Sequence, residues 1–195
     1  AGENGRFHPT PDKPLKLYSG DIDQNGQIDQ VLTYYLKDRE IPFATFEEYT
    51  KTIPSLKKKY LYARDFAKAS APEVFGKQAL SNAKQRKADT FTSYWFENTG
   101  GLNFVPHALP ASAQFSTLNA FCPFDIDRDG KTEVLSGGNF FECNIEMGRY
   151  DASYGQVLQL GSGGNMNAYT LGNLRIDGQI RRISLIELNG QNVFV

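Results

Sequence analysis

The amino-acid sequence predicts a mainly β chain, built from a repeated antiparallel hairpin and interrupted once by a helical insert. Three observations carry that expectation. An apolar run, an acidic glycine-containing loop and a second apolar run occur in that order near residues 15–35 and again near 121–135. A shortened copy lies at 183–195. Between the first two copies, residues 46–89 change from strand-like alternation to a helical period.

In chain order, Leu15-Lys-Leu17-Tyr-Ser reads as an alternating strand, and Gly20 to Asp29 as a polar loop containing Asn25-Gly26. Val31 to Tyr35 is the returning strand. The insert follows, with capping-box spacing at Thr45/Glu48 and at Ser70/Glu73, the latter with Pro72 in the first turn. Leu56, Tyr60, Ala63 and Ala67 are expected on one helical face docked against a sheet. From Lys51 to Lys87 there are ten Lys or Arg against two acids, Asp65 and Glu73. That run is a solvated helix surface or an anion-binding face. Nucleic acid is the least suited anion, because only Tyr60 could stack a base near Lys57-Lys58-Lys59.

Beyond the insert, Tyr94 to Asn98 and Phe104-Val105 flank a Gly100-Gly101 turn. Phe121–Phe124 and Val134-Leu135 flank the second acidic loop, and short strands within 148–160 and 166–171 flank Gly161–Gly164. The last copy turns at Asn189-Gly190. The turn glycines Gly26, Gly130 and Gly190 lie 104 and 60 residues apart, and the longer interval exceeds the shorter by the 44 residues of the insert. A repeat near 60 residues points to propeller or solenoid architecture. The expected division is 1–45 for the first hairpin, 46–90 for the insert and 91–195 for the following repeats.

Composition excludes several classes. A net charge of −1 supplies no global field towards nucleic acid or membrane, and no apolar run approaches the roughly 20 residues a spanning helix needs. His8 and His107 are isolated, and there is no HExxH, no GxSxG and no phosphate loop. A glycosidase carboxylate pair would have to come from Glu142, Glu146 and Asp151, while Arg149 and Asp151 are expected to form a structural ion pair or turn contacts. Cys122 and Cys143 lack zinc or redox spacing, and either a disulfide or two half-buried thiols is consistent with them.

The two acidic loops carry the chemistry. Calcium takes six to eight oxygens, and a loop supplies them when alternate residues point inward around a glycine at position 6. Asp21, Asp23, Asn25, Gln27 (through its carbonyl) and Asp29 fill positions 1, 3, 5, 7 and 9 of loop 1, with Gly26 at position 6. Asp125, Asp127, Asp129, Lys131 (through its carbonyl) and Glu133 fill them in loop 2, around Gly130. The closing acid at position 9, followed at once by strand residues, excludes an EF-hand, whose glutamate stands at 12 before a helix. Two bound Ca2+ ions are predicted. The third copy offers only Glu187 and Asn189, too few ligands for another.

The stretches GDIDQNGQIDQVL and FDIDRDGKTEVLSGGN resemble the FG-GAP/VCBS repeat family, whose calcium-loop blades also build integrin α heads. Pro54–Tyr60, Leu109-Pro110, Gln114-Phe-Ser116, Gly138-Asn139 and Gly148–Ser153 are similar to large bacterial cell-envelope proteins with VCBS and ASPIC/UnbV-type modules. The resemblance implies a partial β-propeller of about three blade starts, and therefore a piece of a longer ring. It implies a non-catalytic calcium-binding module for protein or glycan interaction, extracellular or periplasmic and associated with the outer membrane. The rest of the parent propeller is the first expected partner, with homo-oligomers through open sheet edges as another. Part of a polysaccharide-acting hydrolase is the alternative function.

Overall fold

The computed structural model describes residues 2–143 and 148–195. It is mainly β, with twelve strands in four antiparallel sheets, and it divides into two compact units. One comprises residues 7–90, the other 2–6 with 91–195.

In the 7–90 unit, β1 (Leu15–Gly20), β2 (Asp29–Leu36) and β3 (Arg39–Pro42) form consecutive hairpins. Five short helices follow: α1 (Phe46–Thr52), α2 (Leu56–Lys59), α3 (Ala63–Lys68), α4 (Ala71–Phe75) and α5 (Lys77–Asn82). Two of them start where the sequence places caps. The Thr45 hydroxyl accepts the Glu48 N–H, and Glu73 accepts the Ser70 N–H at 2.7 Å. The insert does not stay helical to residue 90. β4 (Lys84–Ala88) returns to pair with β1, giving the sheet order β3-β2-β1-β4.

The expected stripe of Leu56, Tyr60, Ala63 and Ala67 is also corrected. These residues are divided between α2 and α3, and Ala63 and Ala67 are exposed while Phe66 is buried. The chain turns at Tyr60 to Tyr62, so the helical phase is reset and Phe66 takes the inward place. Tyr18, Ile22 and Val31 pack with Tyr49, Ile53, Leu56, Phe66, Val74, Phe75 and Leu80 into one core. Lys59, read as part of a basic face, donates its ammonium to the Glu73 and Val74 carbonyls at the end of α4, where a cation meets unpaired helix carbonyls.

A polar network missed by the sequence reading crosses this sheet. Glu40 accepts from Lys16 (2.6 Å), Tyr18 (2.8 Å), Thr33 (2.7 Å) and Tyr35 (3.3 Å). Burial opposes the Glu40 charge, but these donors hold its carboxyl below the usual range. Burial and the same carboxylate push the Tyr18 phenol up to about 12.

In the other unit, β5 (Tyr94–Gly100) and β6 (Asn103–Ala108) form one hairpin. β7 (Leu118–Phe124), β8 (Glu133–Gly138), β9 (Gln156–Leu160) and β10 (Met166–Tyr169) form a four-stranded meander, and β11 (Leu185–Leu188) pairs with β12 (Gln191–Phe194). Alternation gives the meander two apolar faces. Leu158 and Val134 pack with Leu109, Ala113 and Trp95, while Cys122, Leu135 and Val157 pack with Ile183, Leu185 and Phe194.

The end of β8 is pinned by Asn139, which is buried in the left-handed region (φ 81°). Its amide donates to the Ser153 and Gly178 carbonyls and its oxygen accepts the Ser153 N–H. Gly138 precedes it because any Cβ there would lie 1.7 Å from the Thr117 carbonyl oxygen. Both cysteines are free thiols, Cys122 buried and Cys143 half-buried. Among the described residues no sheet closes into a barrel, and no helix is long and apolar enough to cross a membrane.

Candidate metal centres

Each acidic loop joins two adjacent antiparallel strands, loop 1 between β1 and β2 and loop 2 between β7 and β8. Their backbones follow the same course. Position 4 is left-handed in both (Gln24 φ 61°, Arg128 φ 62°), and the position-6 glycines share φ 86°. The glycine conformation is the one an L side chain resists, which is why Gly26 and Gly130 stand there.

Three hydrogen bonds repeat with it, while the position-5 N–H goes to Asp21 in loop 1 and to Asp127 in loop 2. The position-1 carboxylate accepts the glycine N–H, Asp21 from Gly26 at 2.9 Å and Asp125 from Gly130 at 3.0 Å. The position-5 side chain accepts the position-7 N–H at 2.8 Å in both loops, Asn25 from Gln27 and Asp129 from Lys131. The closing acid accepts the N–H of position 2, Asp29 from Ile22 at 3.1 Å and Glu133 from Ile126 at 2.9 Å. The isoleucine at that position is an anchor the sequence reading overlooked, although Asp-Ile-Asp stands in both loops. Ile22 is buried in the core of its unit, and Ile126 packs beside Cys122, Leu135 and Val157.

This scaffold converges three carboxylates per loop. Ligand oxygens of Asp21, Asp23 and Asp29 lie within 4.8 Å of one another, as do those of Asp125, Asp127 and Glu133. Of the expected ligands, Asn25 and Asp129 turn one oxygen to the loop backbone. Asp129 gives its second oxygen to the Lys131 ammonium at 2.9 Å. Gln27 and Lys131 take part through backbone N–H groups.

Each loop also holds an orphan. Asp23 Oδ1 and Asp125 Oδ1 are buried from solvent with no hydrogen-bond partner. A buried oxygen without a donor is costly, and here it sits among further carboxylates. Asp29 feels that concentration of charge. Burial raises its carboxyl above the ordinary value, and Asp23 and Asp21 push it further. A cation offsets both the orphaned oxygen and the repulsion, and an all-oxygen donor set without His or Cys suits a hard one.

The surroundings of the closing acids differ. Glu133 is fully buried, and the Gln159 amide of β9 donates to its Oε1 at 3.2 Å. Burial raises the Tyr169 phenol on β10, and the charges of Glu133, Asp127 and Asp129 raise it further. Neither Gln159 nor Tyr169 had a signal in the sequence, since only the tertiary pairing brings β9 and β10 beside loop 2.

The carboxylates considered for hydrolysis are placed differently. Glu142 pairs with Arg181 at 2.8 Å and accepts from Gln179, contacts that hold its carboxyl low, the opposite of a general acid's need. Arg149 does not pair with Asp151; its guanidinium lies 5.3 Å over the Phe141 ring. Glu146 lies outside the described residues. His107 stacks on Trp95 at 4.5 Å and contacts Glu97 at 3.0 Å. Exposed Phe115, Tyr154 and Tyr169 rim a cleft of about 210 Å³ with Ser112, Ser153 and Gln156. No protein-family model, curated protein or solved structure matches this chain.

Proposed function

We propose that this chain is a non-catalytic, calcium-stabilised repeat module of the FG-GAP/VCBS kind, serving protein or glycan interaction at the cell envelope. One observation carries the calcium reading: each loop holds a buried orphan oxygen, Asp23 Oδ1 at position 3 of loop 1 and Asp125 Oδ1 at position 1 of loop 2, among three converging carboxylates. Two four-stranded antiparallel sheets, each with such a loop between neighbouring strands, support the reading of propeller-type blades.

Ca2+ has the coordination flexibility for carboxylates, loop carbonyls and water together, whereas Mg2+ demands a tighter octahedron. The reading includes an extracellular, periplasmic or outer-membrane-associated location, where calcium satisfies the weak affinity usual for extracellular modules, roughly 10⁻⁴–10⁻³ M. Bound ions would stiffen the hairpins and leave neighbouring surfaces, such as the aromatic-rimmed cleft, to a partner.

Calorimetric Ca2+ titration of the chain, with parallel thermal melts in EDTA, tests this. Two ions should bind, Asp23→Asn and Asp125→Asn should each remove one, and Tm should rise with calcium. No heat and a Tm indifferent to calcium would overturn the proposal.

A further inference from the structure

We propose that Gln159 is a positioning residue for the loop 2 ion, tying that site to the third strand of its sheet while loop 1 stands alone; this rests on the calcium reading of loop 2.

The register of the meander supplies the geometry. Val134 faces Leu158 and Leu135 faces Val157 across β8 and β9, so the next step outward brings Gln159 opposite Glu133. Side chains two apart share a face, so Glu133 and Gln159 lie on the face of Leu135 and Val157. There the Gln159 amide reaches Glu133 Oε1 at 3.2 Å, and the Ile126 N–H takes Oε2 at 2.9 Å. Both oxygens are thereby oriented by neutral donors, and each keeps acceptor capacity for a cation. Gln159 is itself paired in register with Asn167 of β10, so the donor stands on a strand held from both sides.

Among the described residues loop 1 has no counterpart. β3 pairs only with Thr33 to Leu36 of β2, several residues short of Asp29. Its closing acid faces Gly20, which brings no side chain. Asp29 therefore depends on loop backbone, with the Ile22 N–H on Oδ2. Outer donors that fix a ligating carboxylate typically alter metal affinity about 10–100-fold.

The test uses the full chain carrying Asp21→Asn and Asp23→Asn, which leaves only loop 2 to bind Ca2+. Calorimetry then compares this background with added Gln159→Met, which keeps the side-chain length and loses the donor. A second comparison adds Leu158→Val, which loosens the same strand on its opposite face. The expected result is a Kd about 10–100-fold weaker for Gln159→Met and changed by less than about threefold for Leu158→Val. Gln159→Met combined instead with Asp125→Asn should leave loop 1 binding unaltered. Equal affinities of the background and Gln159→Met would overturn the role of Gln159 while leaving the calcium reading intact. Equal losses from both strand substitutions would overturn it as well, since general loosening would then account for them. A background that binds no Ca2+ would overturn the loop 2 site itself.

Discussion

The two acidic loops share one local geometry and sit in opposite environments. Loop 1 belongs to a unit with fourteen basic and eleven acidic residues, and its position-2 isoleucine is sunk into an aromatic and aliphatic core beneath five helices. Loop 2 belongs to a unit with seven basic and eleven acidic residues, and it leans on its own sheet through Glu133 and Gln159. The left-handed position 4 and three of the loop hydrogen bonds are the same in both, while the position-5 N–H turns to Asp21 in loop 1 and to Asp127 in loop 2. Local sequence is therefore sufficient to shape such a loop, whereas its anchoring is set by what packs against it. Loop 1 is anchored by the deep apolar burial of Ile22, loop 2 by the half-buried Ile126 together with a cross-strand polar contact.

The sharpest way to break that contrast is at the anchors. Ile22→Ala should cost about 2–4 kcal/mol, because a core residue leaves a cavity, and Ile126→Ala roughly 1–2 kcal/mol at its half-buried place. Urea melts of the two variants in EDTA read the difference; equal costs would remove the distinction. Calcium itself comes next. At a hundredfold excess over Kd each site should add about 2.7 kcal/mol to the unit holding it, read as a calcium-dependent shift of the denaturation midpoint.

The closing acids give a smaller and sign-sensitive test. In EDTA, Asp29→Asn should be neutral or stabilising by up to about 1 kcal/mol, since it relieves a buried carboxylate crowded by Asp21 and Asp23. Glu133→Gln should destabilise by about 1–2 kcal/mol, because one of its two donors then faces an amide NH2. Destabilisation by both would show that loop 1 is supported more firmly than its contacts indicate.

The mildest effect is on the pH dependence of the loop 1 unit. Glu40 titrates below its ordinary value when folded, so its contribution is complete above about pH 4.5 and is lost as pH falls through the lowered folded value. Tyr18 titrates higher when folded, so its contribution is complete below pH 10 and is lost as pH rises from 10 towards about 12. Burial places Tyr49 in the same alkaline window, also at about 12. Stability followed against pH should fall at both ends, and Tyr18→Phe should flatten part of the alkaline arm by about 1 kcal/mol.

What the sequence determined by itself is the local part. The positions of both loops, their flanking strands, the Gly100-Gly101 and Asn189-Gly190 turns and the Thr45 and Ser70 helix starts are all carried by residues within a few places of one another. Their spacing is enough because sterics and hydrogen bonds at that range act along the chain. The tertiary structure alone decided the rest. Lys84–Ala88 has a charged composition with no alternating pattern, and it became a strand because β1 offered an unpaired edge. Ala63 and Ala67 turned outward because the chain reset its helical phase before α3. Glu40, Asn139 and Gln159 found their partners across sheets or from distant loops. Such pairings depend on register and layer contact, which join residues far apart in the chain and leave no period in the sequence to read.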